Sequence, residues 1–189
     1  MMGKASHLRD LPYAAECGRW YARRLWLAPT LLALVACAPP RVTVALDSLQ
    51  GLAPIRAQVD PYLLTLTERW ATGRMVGEAP VGDLLRQVLV DDPQAPLHLI
   101  YVTSQLNVAT VVSPMFYRPH AYQARYQLTV RVESLAAGAR QTWLQGAGES
   151  QSLASPARAT GDAITQAVRE LYRHLAAQRV ARAAQGKGL

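Results

Sequence analysis

Between Tyr122 and Glu133 the chain alternates without a break. Tyr122, Ala124, Tyr126, Leu128, Val130 and Val132 are its apolar members; Gln123, Arg125, Gln127, Thr129, Arg131 and Glu133 are its polar ones. A period of two places the two sets on opposite faces, which predicts a half-buried antiparallel strand. Leu97–Val112, just before it, is uncharged apart from His98 and rich in β-branched residues. It predicts a central strand, or two short ones, buried on at least one face. After a turn at Ala136-Ala137-Gly138-Ala139, Gln141–Ser152 predicts a weaker strand with Trp143 and Leu144 as its bulky members. Val42–Leu46, β-branched and set between Pro40 and Asp47-Ser48, predicts a first strand.

Elsewhere the period changes to that of a helix. Val81, Leu84, Leu85, Val88 and Leu89 fall at i, i+3, i+4, i+7 and i+8, a single apolar stripe over Gly82–Val90. Pro93 and Pro96 close it after Asp91-Asp92. Ser155-Pro156 supplies an N-cap and a first-turn proline for a last helix. Along that helix Ile164, Val168, Leu171 and Leu175 step by four, three and four. Residues 62–70 carry two signals. Asp60-Pro61 opens a helix, whereas Tyr62, Leu64, Leu66 and Trp70 alternate among threonines, and the alternation weighs towards a strand. Residues 47–60 read as loop, with Gly51 and Pro54, and Gly73, Gly77 and Pro80 mark another loop. The sum is an α+β domain: a two-layer sandwich, with a small mainly antiparallel sheet of four to five strands and two helices packed on one face.

The first forty residues follow neither period. Arg23-Arg24 precede Leu25–Val35, an uncharged, mostly apolar run of 11 residues. A permanent membrane helix needs about 20 apolar residues, so this run has the size of a signal-peptide hydrophobic region instead. Leu34-Val35-Ala36-Cys37 follows directly, and it resembles a bacterial lipobox, with a small residue before the cut and a thiol to receive diacylglycerol through a thioether. The expected cleavage lies between Ala36 and Cys37, and Cys37 is the expected lipidation site. Several acyl chains on one residue anchor stably where one is marginal. Ala38 stands where an aspartate commonly retains a lipoprotein at the inner membrane, so the expected address is the outer membrane, facing the periplasm. The expected division is a signal peptide at 1–36, a lipidated tether at 37–41, one periplasmic α+β domain at 42–180 and a frayed tail at 181–189.

That division changes how composition reads. The whole chain of 189 residues carries +7 and two cysteines. The leader takes Lys4, Arg9, Arg19, Arg23 and Arg24 with it, against Asp10 and Glu16, so residues 37–189 keep only +4. An exported domain of such modest charge is a poor candidate for nucleic acid. Cys17 also lies in the leader, so no intrachain disulfide is expected.

Candidate chemistry is sparse. There is no G-x-S-x-G elbow, P-loop, H-E-x-x-H or G-x-G-x-x-G. Gly146-Ala147-Gly148 lacks the further glycine and lysine of a phosphate loop. Asp91, Asp92 and His98 could be drawn as metal ligands, but they fit a solvated helix end followed by a strand residue. His174 sits among Arg169, Arg173 and Arg179, which disfavours a cation. The chain therefore reads as non-catalytic, with no metal and no cofactor beyond the covalent lipid on Cys37. Met115-Phe116-Tyr117-Arg118 between the long strands is a candidate contact for a protein partner or lipid; the plainer alternative is a loop folded back over the core. Arg158, Arg169, Arg173, Arg179 and Arg182 could meet lipopolysaccharide phosphates, or simply form a charged solvent face interspersed with Asp162 and Glu170.

Residues 37–175 also resemble small outer-membrane lipoproteins of the YajG type. The resemblance runs through Cys37-Ala38-Pro39-Pro40, Val42-Thr43-Val44, Leu84–Leu89, Leu97–Leu106, Tyr126–Val130 and Ala163–Val168. It implies a lipid-anchored envelope protein and carries no site residue beyond Cys37. A second resemblance is to the LptE type, which assembles the lipopolysaccharide-export barrel, and a third reading is an auxiliary lipoprotein of an envelope transporter. The partners these imply are the membrane, through the lipid, and an outer-membrane or envelope protein or lipopolysaccharide.

Overall fold

A computed structural model describes residues 41–73, 75–115, 119–134 and 141–185. The described residues belong to one compact unit, Pro40–Leu189. In chain order the elements are β1 (Arg41–Thr43), β2 (Ile55–Val59), α1 (Pro61–Thr65), β3 (Glu68–Thr72), β4 (Met75–Ala79), α2 (Val81–Val88), β5 (Leu89–Asp91), β6 (Leu97–Val112), β7 (Pro119–Ser134), β8 (Gln141–Ser152) and α3 (Pro156–Gln185). The molecule is α+β as expected, but the strands form two sheets rather than one. A three-stranded sheet runs β1-β4-β3 and a five-stranded sheet runs β5-β2-β6-β7-β8.

The meander β6-β7-β8 is antiparallel throughout. Its β7 presents Ala124, Tyr126, Leu128, Val130 and Val132 to the core, all buried. The long strand β6 is one strand with a bulge at Val102, between the pairs Tyr101–Val130 and Thr103–Thr129. The extra residue inverts the parity. Leu97, Leu99 and Tyr101 share the core face before it, and Ser104, Leu106, Val108 and Thr110 share it after, opposite Leu128, Tyr126, Ala124 and Tyr122.

α3 lies on the core face of β7 and β8. Ala163, Ile164, Ala167, Val168, Leu171 and Leu175 are buried there. Gly146 and Gly148 pair with Leu128 and Tyr126. Their missing side chains admit the helix: a Cβ on Gly146 would strike the Ala167 carbonyl, and one on Gly148 the Ala163 carbonyl. The glycines of β8 thus serve close helix packing.

The rest of the core face is covered by the small sheet rather than by a second helix alone. Thr72 Oγ1 on β3 lies 2.9 Å from Thr110 Oγ1 on β6. The Tyr126 hydroxyl donates to Glu68 Oε1 at 3.3 Å, joining β7 to β3. Trp70 pairs with Gly77 across β3-β4, and its indole occupies the space a Cβ on Gly77 would need.

Four local expectations need correction. Residues 47–60 are not all loop, because Ile55–Val59 forms β2, parallel to both β5 and β6. Residues 62–70 are not one strand. Asp60 Oδ1 accepts the Tyr62 amide at 2.9 Å and starts the single turn α1, and β3 begins only at Glu68. The Gly77 region is strand β4, not loop. The helix drawn over Gly82–Val90 ends at Val88, and the backbone turns extended at Leu89 to form β5 without an intervening proline. Smaller shifts occur at both ends. The first strand is Arg41–Thr43 instead of Val42–Leu46. The last helix continues through Gln185, past the expected fraying point at 181. The turn at Ala136–Ala139 lies outside the described residues.

Candidate functional site

Cys37 and Ala36, the expected lipidation and cleavage positions, lie outside the described residues, as do Phe116, Tyr117 and Arg118. Met115 is described. It is 81% exposed at the end of β6, and Val112 before it is 49% exposed. This part of the segment stands in solvent and does not fold back over the core. Arg158, Arg169, Arg173 and Arg179 are exposed along α3.

The acid and histidine positions do not converge. Asp91 Oδ1 accepts the Val59 amide at 3.0 Å, and Asp92 Oδ1 accepts the Gln94 amide at 3.0 Å. Both therefore hold backbone in place. His98 Nδ1 lies 4.0 Å from Glu133 Oε2 on the outer face of the large sheet. No group of three potential metal ligands occurs among the described residues. None of the described helices is long and apolar enough to cross a membrane.

The described residues do form one groove that the linear pattern leaves hidden. β8 is the last strand of its sheet, so its outer edge carries unpaired backbone groups. α3 caps that edge with side chains. Glu170 Oε2 accepts the Ala147 amide at 2.6 Å. The His174 Nδ1–H donates to the Gln145 carbonyl at 3.1 Å. Around these contacts lies an open groove of about 570 Å³, lined by Gln127, Trp143, Gln145, Glu170, His174 and Gln178 among others. Trp143 is 59% exposed there, whereas its neighbour Leu144 packs against the core.

The strand period explains the division. In β8 the even positions face α3 and the odd ones share the outer face with Gln127, Thr129 and Arg131 of β7. Gln178 lines the groove, and its side-chain oxygen is buried without a hydrogen-bond partner. The sequence signal was present: Trp143 alternates with Gln141, Gln145 and Glu149 on a polar face, an unusual place for an indole. What the sequence withholds is where the last helix packs, beside the edge of β8.

No protein-family model matches the chain, and among curated proteins none matches it either.

Proposed function

We propose that this chain is a lipid-anchored lipoprotein of the bacterial cell envelope. Its folded part faces the periplasm at the outer membrane and acts as a binding or assembly module, without catalysis. The observation that carries the reading is Leu34-Val35-Ala36-Cys37 placed directly after Arg23-Arg24 and an apolar run of 11 residues. The position of β1 is in keeping with it. The strand starts at Arg41, so only Ala38, Pro39 and Pro40 separate Cys37 from the fold, a span of at most ~14 Å when extended. Such a tether holds the domain at the membrane surface. The resemblance to YajG-type lipoproteins agrees with this placement. A role in assembling an outer-membrane protein is the second reading, supported by the exposed Met115 and Val112 at the end of the long β6 strand.

Metabolic labelling with tritiated palmitate tests the proposal. The wild-type chain takes up label and Cys37→Ser does not. Label that persists in Cys37→Ser, or its absence from the wild type, overturns the reading. Co-purification with an outer-membrane barrel, lost on Met115→Glu, is the result expected of the assembly role.

A further inference from the structure

We infer that the groove that wraps the outer edge of β8, from Trp143 on the outer sheet face to the side chains of α3, binds carbohydrate, with a pyranose ring of a glycan lying against the indole of Trp143. The inference concerns residues of the folded part alone and stands whether or not Cys37 carries lipid.

An indole 59% exposed on an otherwise polar sheet face leaves a large apolar surface wet, which disfavours the position unless something covers it. The side chains beside it are amides. Gln123 donates to Glu149 and Gln141 to Glu133, whereas the Gln127 and Gln145 amides have no such partner among the described residues. The buried Gln178 oxygen is also unpartnered, and a buried polar atom without a partner costs about 1–3 kcal/mol. That cost is relieved when the Gln178 side chain, which lines the groove, turns its oxygen towards a ligand hydroxyl.

Charge decides the ligand class. The arginines of the outer face are already paired: Arg125 with Glu149 at 3.1 Å, and Arg131 with Glu133 at 3.0 Å. The face therefore offers an aromatic plane and amides but little net charge, and the exposed Arg169, Arg173 and Arg179 of α3 do not line the groove. A phosphate or nucleic acid would need free cations there. A sugar needs what is present. One face of a pyranose is made of C–H groups and can cover an aromatic ring, and its rim carries hydroxyls that both donate and accept, as amides do. Glu170 spends one oxygen on the Ala147 amide, leaving the other for a ligand hydroxyl. Because β8 holds Glu170 and His174 in place, the groove is formed before the ligand arrives, which limits the ordering cost of binding. A volume of about 570 Å³ lies within the range of small-molecule sites.

The same ring chemistry occurs in N-acetylated glycan strands and in sugars without acetamido groups, so the test uses both. Chitotetraose and cellotetraose are titrated calorimetrically into the full chain purified in detergent. Saturable binding of either is expected, with a Kd on the order of 0.1–1 mM. A preference for chitotetraose assigns acetamido recognition, and equal binding assigns hydroxyl recognition; both support the site. Trp143→Ala should weaken binding at least about tenfold, the loss of one stacking contact. Gln178→Leu, which removes the orphan oxygen without opening a void, should weaken it several-fold. Circular dichroism of each variant verifies that the fold persists, as the exposure of Trp143 predicts. No binding of either sugar at tens of millimolar, or binding indifferent to Trp143→Ala, overturns the inference and leaves the lipid anchor untouched.

Discussion

Tyr126 shows how much one buried hydroxyl can reveal. Its ring is fully buried, and burial, followed by the negative charge of Glu68, raises its pKa well above the ordinary 10.0. The folded state therefore keeps the proton after the unfolded state has lost it. Stability is full below about pH 10 and falls as pH rises further, by ~1.4 kcal/mol per pH unit for one such group. Urea unfolding at a series of alkaline pH values should show that fall, and Tyr126→Phe should flatten it by the share of a single group. Asp60 carries two bonds at one position. Its carboxylate caps α1 through the Tyr62 amide and accepts the Tyr101 amide at 3.2 Å, prolonging the register between β2 and β6. Asp60→Ala should cost about 1–2 kcal/mol, measurable by chemical denaturation. At Gly148, alanine would place its Cβ against the Ala163 carbonyl. The helix backbone cannot yield like a side-chain tip, so Gly148→Ala should lower stability by about 1–3 kcal/mol.

Among the elements, those with a long uninterrupted period were legible and the short ones were not. β7 shows twelve alternating residues and α3 a stripe from Ile164 to Leu175, and both stand where the pattern put them. β6 was legible as strand, one long or two short, but its faces were not, because the bulge at Val102 inverts their parity. β2 does alternate, with Ile55, Ala57 and Val59 inward. Five residues between Pro54 and Asp60-Pro61 are nevertheless too few for the pattern to outweigh its flanking turn signals. Residues 62–70 confused the reading because both signals were true of different pieces, a capped helical turn and then a strand. Gly77 looked like a loop residue because its reason for being glycine is Trp70, a partner found only once β3 and β4 pair. The groove beside Trp143 was illegible for the same cause: α3 walls β8 across a separation of more than twenty residues. Glu170→Ala uncaps the Ala147 amide at the sheet edge, so that amide should exchange its hydrogen faster, while the helix interior around Val168 keeps its protection.

At the scale of the molecule, the two sheets share one core, with α3 on one part of the large sheet and the β3-β4 hairpin on another. Such a unit holds together by packing, without a disulfide among the described residues. The paired arginines of the outer sheet face suit a neutral polar ligand better than a polyanion. The proposed placement of this unit in the cell rests on Cys37. Mass spectrometry of the protein extracted from the membrane fraction tests it most directly. The predicted result is a mature chain whose first residue is Cys37, bearing diacylglyceryl and acyl mass, with residues 1–36 gone. An unmodified Cys37 in a chain that retains residues 1–36 would contradict it.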